Sequence, residues 1–494
     1  MVGKISKEKE YDAIIVGAGF AGLYQLICLR DQLKLNCLVI ETGEDVGGTW
    51  YWNRYPGARC DTESHAYSYY FSDELLKEWT WTERYPGHAE IRKYINFVAR
   101  KFNLKKDILF KNRVSDTTFN ESENTWSLLT DKGLQFKAKF LISAVGCLSN
   151  ANIPSIEGLN KFKGKYYHTG NWPKNDVSFT NKKVGQIGTG STGIQAVPVI
   201  AEKAKHLTVF QRTANYSVPA RNEPLSEEFK KHVKHNYKYY RDFLKKTPNG
   251  HPFEISERLV SDVDKDEREL IYEKAWEKGG LQFRAAFQDL VTSVEANDTA
   301  SEFIKAKIRK IVLNPKFAEI LSDIDHPYGG KRPPIDSHYF ESFNRDNINL
   351  VDLRNDPITH IDEKGIQTSK NHFDLDIIVF ATGYDAMTGP LLNMNITGKD
   401  NLKLKDVWKE GPKTFLGLQI AGFPNLFTIT GPGSPSVLTN MPMAIEQHVE
   451  WIRDCISHML ENNFSVIETT DKVTEDWGKE VSIVANKTLL PKVK

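Results

Sequence analysis

Glu41 and Arg212 are the two side chains whose positions say most about chemistry. Each closes an apolar run, "CLVIE" and "LTVFQR", and each stands nineteen residues beyond the last glycine of a glycine-rich turn. The first turn is "GAGFAG" with Gly17, Gly19 and Gly22; the second is "GTGSTG" with Gly188, Gly190 and Gly193 around Thr189 and Ser191. Glycines at these spacings let main-chain N–H groups and a helix N-terminus approach a pyrophosphate. A carboxylate ending the next strand accepts hydrogen bonds from ribose hydroxyls and repels a 2′-phosphate. A guanidinium beside a hydroxyl, Arg212 with Thr213, suits that phosphate. The first site therefore reads as an FAD site and the second as a site for NADPH/NADP+.

These residues need strand, turn and helix to place them, and the context supplies all three. "YDAIIV" and "KVGQIG" read as buried parallel strands running into the two turns, with helical patterns after them. Each copy closes alike, with "FLISAVG" (Phe140 to Gly146) and "DIIVFATG" (Asp376 to Gly383). The predicted fold class is α/β, with two Rossmann-like dinucleotide-binding domains, for FAD and NADP, and a helical insertion in the NADP domain. The expected boundaries are 1–149 and 386–494 for the two parts of the FAD domain. The NADP domain takes 150–222 and 330–385, and the insertion 223–329. In the insertion, Phe229, Val233, Tyr237 and Phe243 have helical spacing among Lys and Glu that read as a solvated face. "AEIRKYINFVARKF" reads as an amphipathic helix packed on the FAD domain.

The chain has 494 residues, enough for two to three domains at roughly 100 to 200 residues each. Lys+Arg 65 against Asp+Glu 64 leaves a formal charge of +1, so no global field recruits nucleic acid or an anionic membrane. Five cysteines (Cys28, Cys37, Cys60, Cys147, Cys455) lack any C-x-x-C, which argues against a disulfide framework, a metal site or a dithiol redox centre. Reduced, cytoplasmic thiols are expected. The charged N-terminus lacks the layout of a signal peptide, and no run approaches the ~18 to 20 apolar residues of a membrane span.

"GGTWYWNRYPGARCD" (Gly47 to Asp61) and "FKGKYYHTGNWP" (Phe162 to Pro173) resemble fingerprints of the Baeyer-Villiger monooxygenases. "KRPPIDSHYFESFNRDN", "DIIVFATGYDAMTG" and "GPGSPSVLTNMPMAIEQHVEW" extend the resemblance over nearly the whole chain, particularly to members similar to phenylacetone monooxygenase. The resemblance implies conversion of ketones to esters or lactones with FAD, NADPH and dioxygen, through a flavin C4a-peroxide anion. It puts the stabilising cation on Arg332, with Asp61 orienting it, and sends Lys331 with Arg212 toward the NADP phosphate. Gly48, Trp50 and Asp61 are implied at the FAD. Trp50, Trp52 and Tyr55 are equally readable as ordinary core. Ser436, Val437, Leu438 and Met441 are implied at the ketone pocket. Phe162, Gly164, His168, Trp172 and Pro173 read as a rigid coupling between the domains, since an anionic peroxide needs no histidine base. Partners are then a small ketone and dioxygen, and the expected assembly is a monomer.

Two other readings compete. One is a flavin N- or S-oxygenating enzyme, which needs a protonated peroxide; the other is a non-catalytic dinucleotide-binding flavoprotein. A disulfide reductase is disfavoured, because no paired cysteines follow the first helix. The chain ends at "NKTLLPKVK", where the resembled family continues through a tryptophan-containing loop over its active site. Without such a cover, water reaches the peroxide and hydrogen peroxide is lost. The expected outcome is NADPH consumption in excess of ester formed, and tight coupling of the two would refute it.

Overall fold

The computed structural model describes residues 9–149 and 151–493. The charged N-terminal residues 1–8, part of the stretch read as lacking a leader's layout, lie outside the described residues, as does Asn150.

Strand Lys9–Val16 pairs in parallel with Cys37–Ile40 and Gln135–Ser143, and its last four residues are buried because both faces of the sheet are covered. Ala13 and Ile15 enter one core and Ile14 and Val16 another, which explains an apolar run where a one-faced strand would alternate. The eight-stranded sheet runs, by strand, 396–397, 114–120, 125–130, 135–143, 9–16, 37–40 and 108–109, with 426–428 also paired to 135–143. Helix His88–Lys101 buries Ile91, Tyr94, Ile95 and Val98, the spacing of one helical face. These side chains join Ala13, Ile15, Phe140 and Ile142 in one core, so the helix packs where its pattern predicts.

The second sheet has five strands in the order 348–352, 206–211, 183–187, 377–380 and 165–168, all parallel. Part of "FKGKYYHTGNWP" is thus an edge strand. Lys165–His168 pairs with Ile377–Phe380, and its burial deepens from exposed Lys165 to buried His168. Between strands Val218–Pro219 and Ile335–Asp336 the chain is mainly helical, with helices Glu227–His235, Tyr237–Lys246, Lys265–Lys278, Val294–Ile311 and Pro315–Ser322. The run Phe229, Val233, Tyr237, Phe243 is split at Asn236, whose backbone leaves helical geometry at φ −117° and ψ 21°. Asn236 donates from its side chain to the His232 carbonyl at 2.8 Å, so it closes one helix as the next begins.

Helix Met441–Glu461 buries Ile445, Val449, Ile452 and Ile456 and packs against helix Phe20–Leu26. Among the described residues no helix is long and apolar enough to cross a membrane. On its buried side Glu446, 3% exposed, accepts a hydrogen bond from the Tyr70 N–H through Oε1, and Oε2 is buried without a partner. Burial pushes this carboxyl up to about 7, against the Tyr70 N–H that lowers it. The folded chain therefore keeps a proton that the unfolded chain releases near 4.5. Because the folded state binds more protons in that interval, stability falls as pH rises from there toward 7, by a few kcal/mol at most. Urea midpoints across this range are expected to decline in the parent protein and to flatten in Glu446→Gln. An unchanged slope in the variant would refute the assignment.

Candidate active site

The two glycine turns are built to one pattern. A Cβ on Gly22 would stand 1.8 Å from the Gly17 carbonyl oxygen, and one on Gly193 would stand 2.3 Å from that of Gly188. In each copy the first glycine has φ near +105° (Gly17 +107°, Gly188 +105°) and crowds the closing strand, at Ala144 O and Ala381 O. Only glycine fits at these approaches, which bring each helix start close to the strand ends.

A cavity of about 530 Å³ opens above the first turn, lined among others by Gly17, Gly19, Glu41, Gly48, Trp50 and Tyr67. Glu41 accepts from Ala18 N at 2.7 Å and Gly43 N at 2.6 Å. Burial raises its carboxyl while these N–H groups lower it. Gly48, at φ +52°, forms the wall opposite Gly19, where a Cβ would stand 2.9 Å from the Gly19 Cα. Trp50 is buried and donates to the Tyr67 hydroxyl at 3.0 Å. Open glycine backbone, a carboxylate and an aromatic wall fit a flavin dinucleotide. At the second turn Thr189 donates to the Thr213 carbonyl at 3.0 Å, which ties turn to strand end. Gly190 and Ser191 open helix Ser191–Lys203. Arg212 is exposed one residue beyond strand His206–Gln211. Lys331 is half-buried, within electrostatic reach of Asp325 and His326.

Arg332 and Asp61, 271 positions apart, meet in a two-point fork: Nε donates to Oδ2 at 2.8 Å and Nη2 to Oδ1 at 2.7 Å. The third guanidinium direction is taken by the Val437 carbonyl, which accepts from Nη1. Their side chains are 29% and 22% exposed, so the pair is shielded yet reachable. Burial pushes the Asp61 carboxyl up, but the adjoining guanidinium outweighs it and holds the group below its usual range. His251 is buried beside them; burial, then Arg332, depress its imidazole to about 4, so it is neutral at pH 7.

The remaining predicted residues are spread unevenly. Met441 lines the dinucleotide cavity. Val437 contributes its carbonyl to Arg332, Leu438 is 45% exposed, and Ser436 is buried at φ +43° with its hydroxyl unpartnered. His168 accepts from Gly170 N through Nδ1 at 2.9 Å, which leaves its proton on Nε2, 3.4 Å from the Thr382 hydroxyl. Burial lowers its pKa. It thus joins the ends of two neighbouring strands. His168, Trp172 and Pro173 also line a cavity of about 560 Å³ with Arg54, Lys111 and Lys174. Phe162 and Trp172 are buried, and a Cβ on Gly164 would meet Phe162 and the Asp376 carbonyl within 2.5 Å.

Sequence reasoning missed the residues that fasten the first motif to the second nucleotide unit. Gln195 accepts from the Tyr55 hydroxyl at 2.7 Å and from Arg59 N at 3.4 Å, and donates to Arg59 O at 3.1 Å. Gly57, at φ +80°, passes so near that a Cβ would stand 2.2 Å from Gln195 O. Tyr384 donates to Asn53, and Lys174 pairs with Glu44. The nearest signal was the position of Gln195, just after the last glycine of the second turn. Its partners lie some 140 positions away, where no spacing rule reaches.

Residues 10–223 match the family model described as flavin-binding monooxygenase-like. The chain is 44% identical to cyclohexanone 1,2-monooxygenase of Acinetobacter sp, over 99% of this chain and 90% of that protein. It is 42% identical to a Baeyer-Villiger monooxygenase of Pseudooceanicola batsensis, over 98% and 88%. The structure of an oxidised steroid monooxygenase bound to NADP superposes with a TM-score of 0.95 at 47% identity, covering 98% of this chain and 93% of that one.

Removing the carboxylate from the fork leaves a shielded cation with no counter-charge. Asp61→Asn is expected to lower unfolding stability at pH 7 by about 1–3 kcal/mol, a range discounted for the pair's partial exposure. Because the Asp61 pKa is depressed on folding, its contribution is present above the usual carboxylate range and lost as pH falls through the folded value. Denaturant midpoints of parent and variant should therefore differ at pH 7 and converge in acid; equal midpoints at pH 7 would sink the idea.

Proposed function

The chain belongs to the Baeyer-Villiger monooxygenase family, and on that premise we propose that it inserts one oxygen atom of dioxygen beside a ketone carbonyl, giving an ester or lactone. Gly17, Gly19, Gly22, Glu41, Gly48 and Trp50 would hold FAD, and Gly188, Thr189, Gly190, Ser191 and Gly193 would hold NADPH, with Arg212, Thr213 and Lys331 recognising its 2′-phosphate. When bound, the two cofactors would supply the reducing equivalents that activate dioxygen for attack on the carbonyl.

The observation that carries this reading is the Arg332–Asp61 fork, reinforced by the Val437 carbonyl. Oxygen insertion passes through negative charge, first on the attacking oxygen and then on the former carbonyl oxygen. A guanidinium stays protonated at any working pH and can stabilise both without taking a proton. Asp61 fixes its plane and leaves edge N–H groups to turn toward substrate. His251, neutral at pH 7, adds no competing positive charge. Gly329 and Gly330 precede Lys331, and the φ of Gly329 is +80°, a hinge suited to moving the cation between reduction and oxygenation.

With the yellow holoenzyme, Arg332→Ala is expected to retain bleaching by NADPH and to lose ester formation, by about 100-fold or more. Product analysis on a panel of ketones, thioethers and amines reads both results. Full ester yield from the variant overturns the role of Arg332, and oxygenated thioethers or amines without any ester overturn the ketone reading.

A further inference from the structure

Two polar groups in segments flanking the fork lack a hydrogen-bond partner among the described residues. Arg284 lies in the short helical turn Leu281–Ala286. It is half-buried, and its Nε is sealed from solvent with no acceptor. Among the described residues no carboxylate or carbonyl pairs with its guanidinium. The hydroxyl of Tyr328, a side chain 1% exposed, is likewise buried and unpartnered.

The turn is held between the two segments that carry the fork. Gln282 donates to Glu63 at 3.5 Å, two residues from Asp61. Phe283 packs edge-on against Tyr328 at 5.6 Å, four residues before Arg332. The Arg284 guanidinium is within electrostatic reach of Tyr328 and Arg332, and His251 feels Arg332, Asp61 and Arg284 together. Of these groups two are cations, one is a carboxylate, and the histidine is neutral at pH 7. One positive charge is left over in a shielded place, a state that is costly until an anion arrives. The dinucleotide phosphates have their own glycine cradles at 17–22 and 188–193. A guanidinium and a phenolic hydroxyl within electrostatic reach of each other are both donors that a carboxylate accepts.

We propose that Arg284 and Tyr328 receive a carboxylate carried by the ketone, so that the preferred substrates are keto acids and not neutral ketones. This rests on the oxygen-insertion reading, since it places the anion on the same substrate molecule.

The test uses the holoenzyme and two matched pairs of probes: benzoate with benzamide for binding, and 4-acetylbenzoate with its neutral amide for turnover. Flavin absorbance changes are expected to show benzoate bound roughly 10- to 100-fold more tightly than benzamide at low salt. Arg284→Gln should bring that ratio near one, Tyr328→Phe should narrow it, and Arg284→Lys should restore part of it. The kcat/KM ratio of the two ketones should follow the same order. A binding ratio near one in the parent protein overturns the proposal, and needs no variant to fold. So does a ratio that Arg284→Gln leaves unchanged, including the case where that variant weakens NADP+ binding instead. If neither ketone yields ester while the benzoate preference is present and Arg284-dependent, the oxygen-insertion reading fails and the carboxylate receptor stands.

Discussion

A permanently charged guanidinium has to be kept at a shielded place between two halves of the chain, and the rest of the site is arranged around that. Arg332 cannot discharge itself by losing a proton, so a carboxylate must come to it from elsewhere, and Asp61 comes from a segment 271 positions earlier in the sequence. The loop that carries Asp61 therefore has to be fixed in three dimensions. Gln195 holds its main chain at Arg59, Tyr55 adds a second bond to the same glutamine, and Gly57 allows the close passage. The cation's requirement thus propagates outward, from a side chain to a loop, and from the loop to the helix that opens the second nucleotide unit.

Much of this was legible beforehand because it repeats. The matched intervals from Gly22 to Glu41 and Gly193 to Arg212 reflect one packing constraint used twice, the last glycine lying against the carbonyl of the first. The closing "AVG" and "ATG" bring their main chain against Gly17 and Gly188, where a Cβ would meet the carbonyls of Ala144 and Ala381. Continuous apolar runs announced strands covered on both faces, and the helix His88–Lys101 was readable from one apolar stripe. What stayed hidden has a common cause. The bonds of Gln195, Asn53 and Tyr384 are single contacts between distant positions and leave no periodic trace. The edge strand Lys165–His168 leaves Lys165 and Tyr166 exposed and so lacks a continuous apolar run. The break at Asn236 comes from a local side-chain bond that competes with the helix. Val437 was read for its side chain, whereas its carbonyl meets Arg332, a choice set by loop conformation.

His168 shows how placement decides a role. A histidine in a cleft invites a catalytic reading, but here its Nδ1 is occupied by a backbone donor and its Nε2 faces Thr382 at the end of the neighbouring strand. Its burial lowers the pKa, which favours the neutral ring that these two contacts require. Of the aromatic positions around it, Trp172 lies in one core cluster and Phe162 in another.

The first sheet also sets an order of events during synthesis. Strand Gln135–Ser143 waits for Leu426–Thr428, which pairs with its residues 141–143. Ile396–Thr397 must likewise return to Thr117–Thr118. A nascent chain therefore carries an incomplete first sheet, with open strand edges, through the whole synthesis of the second. The five-stranded sheet spans a shorter stretch, residues 165 to 380, and can close while the first is unfinished. Loop-closure entropy and exposed edges make such late, distant pairings slow and prone to mispairing. The unit begun first is completed last, so its dinucleotide cradle matures only after the ribosome has passed residue 428.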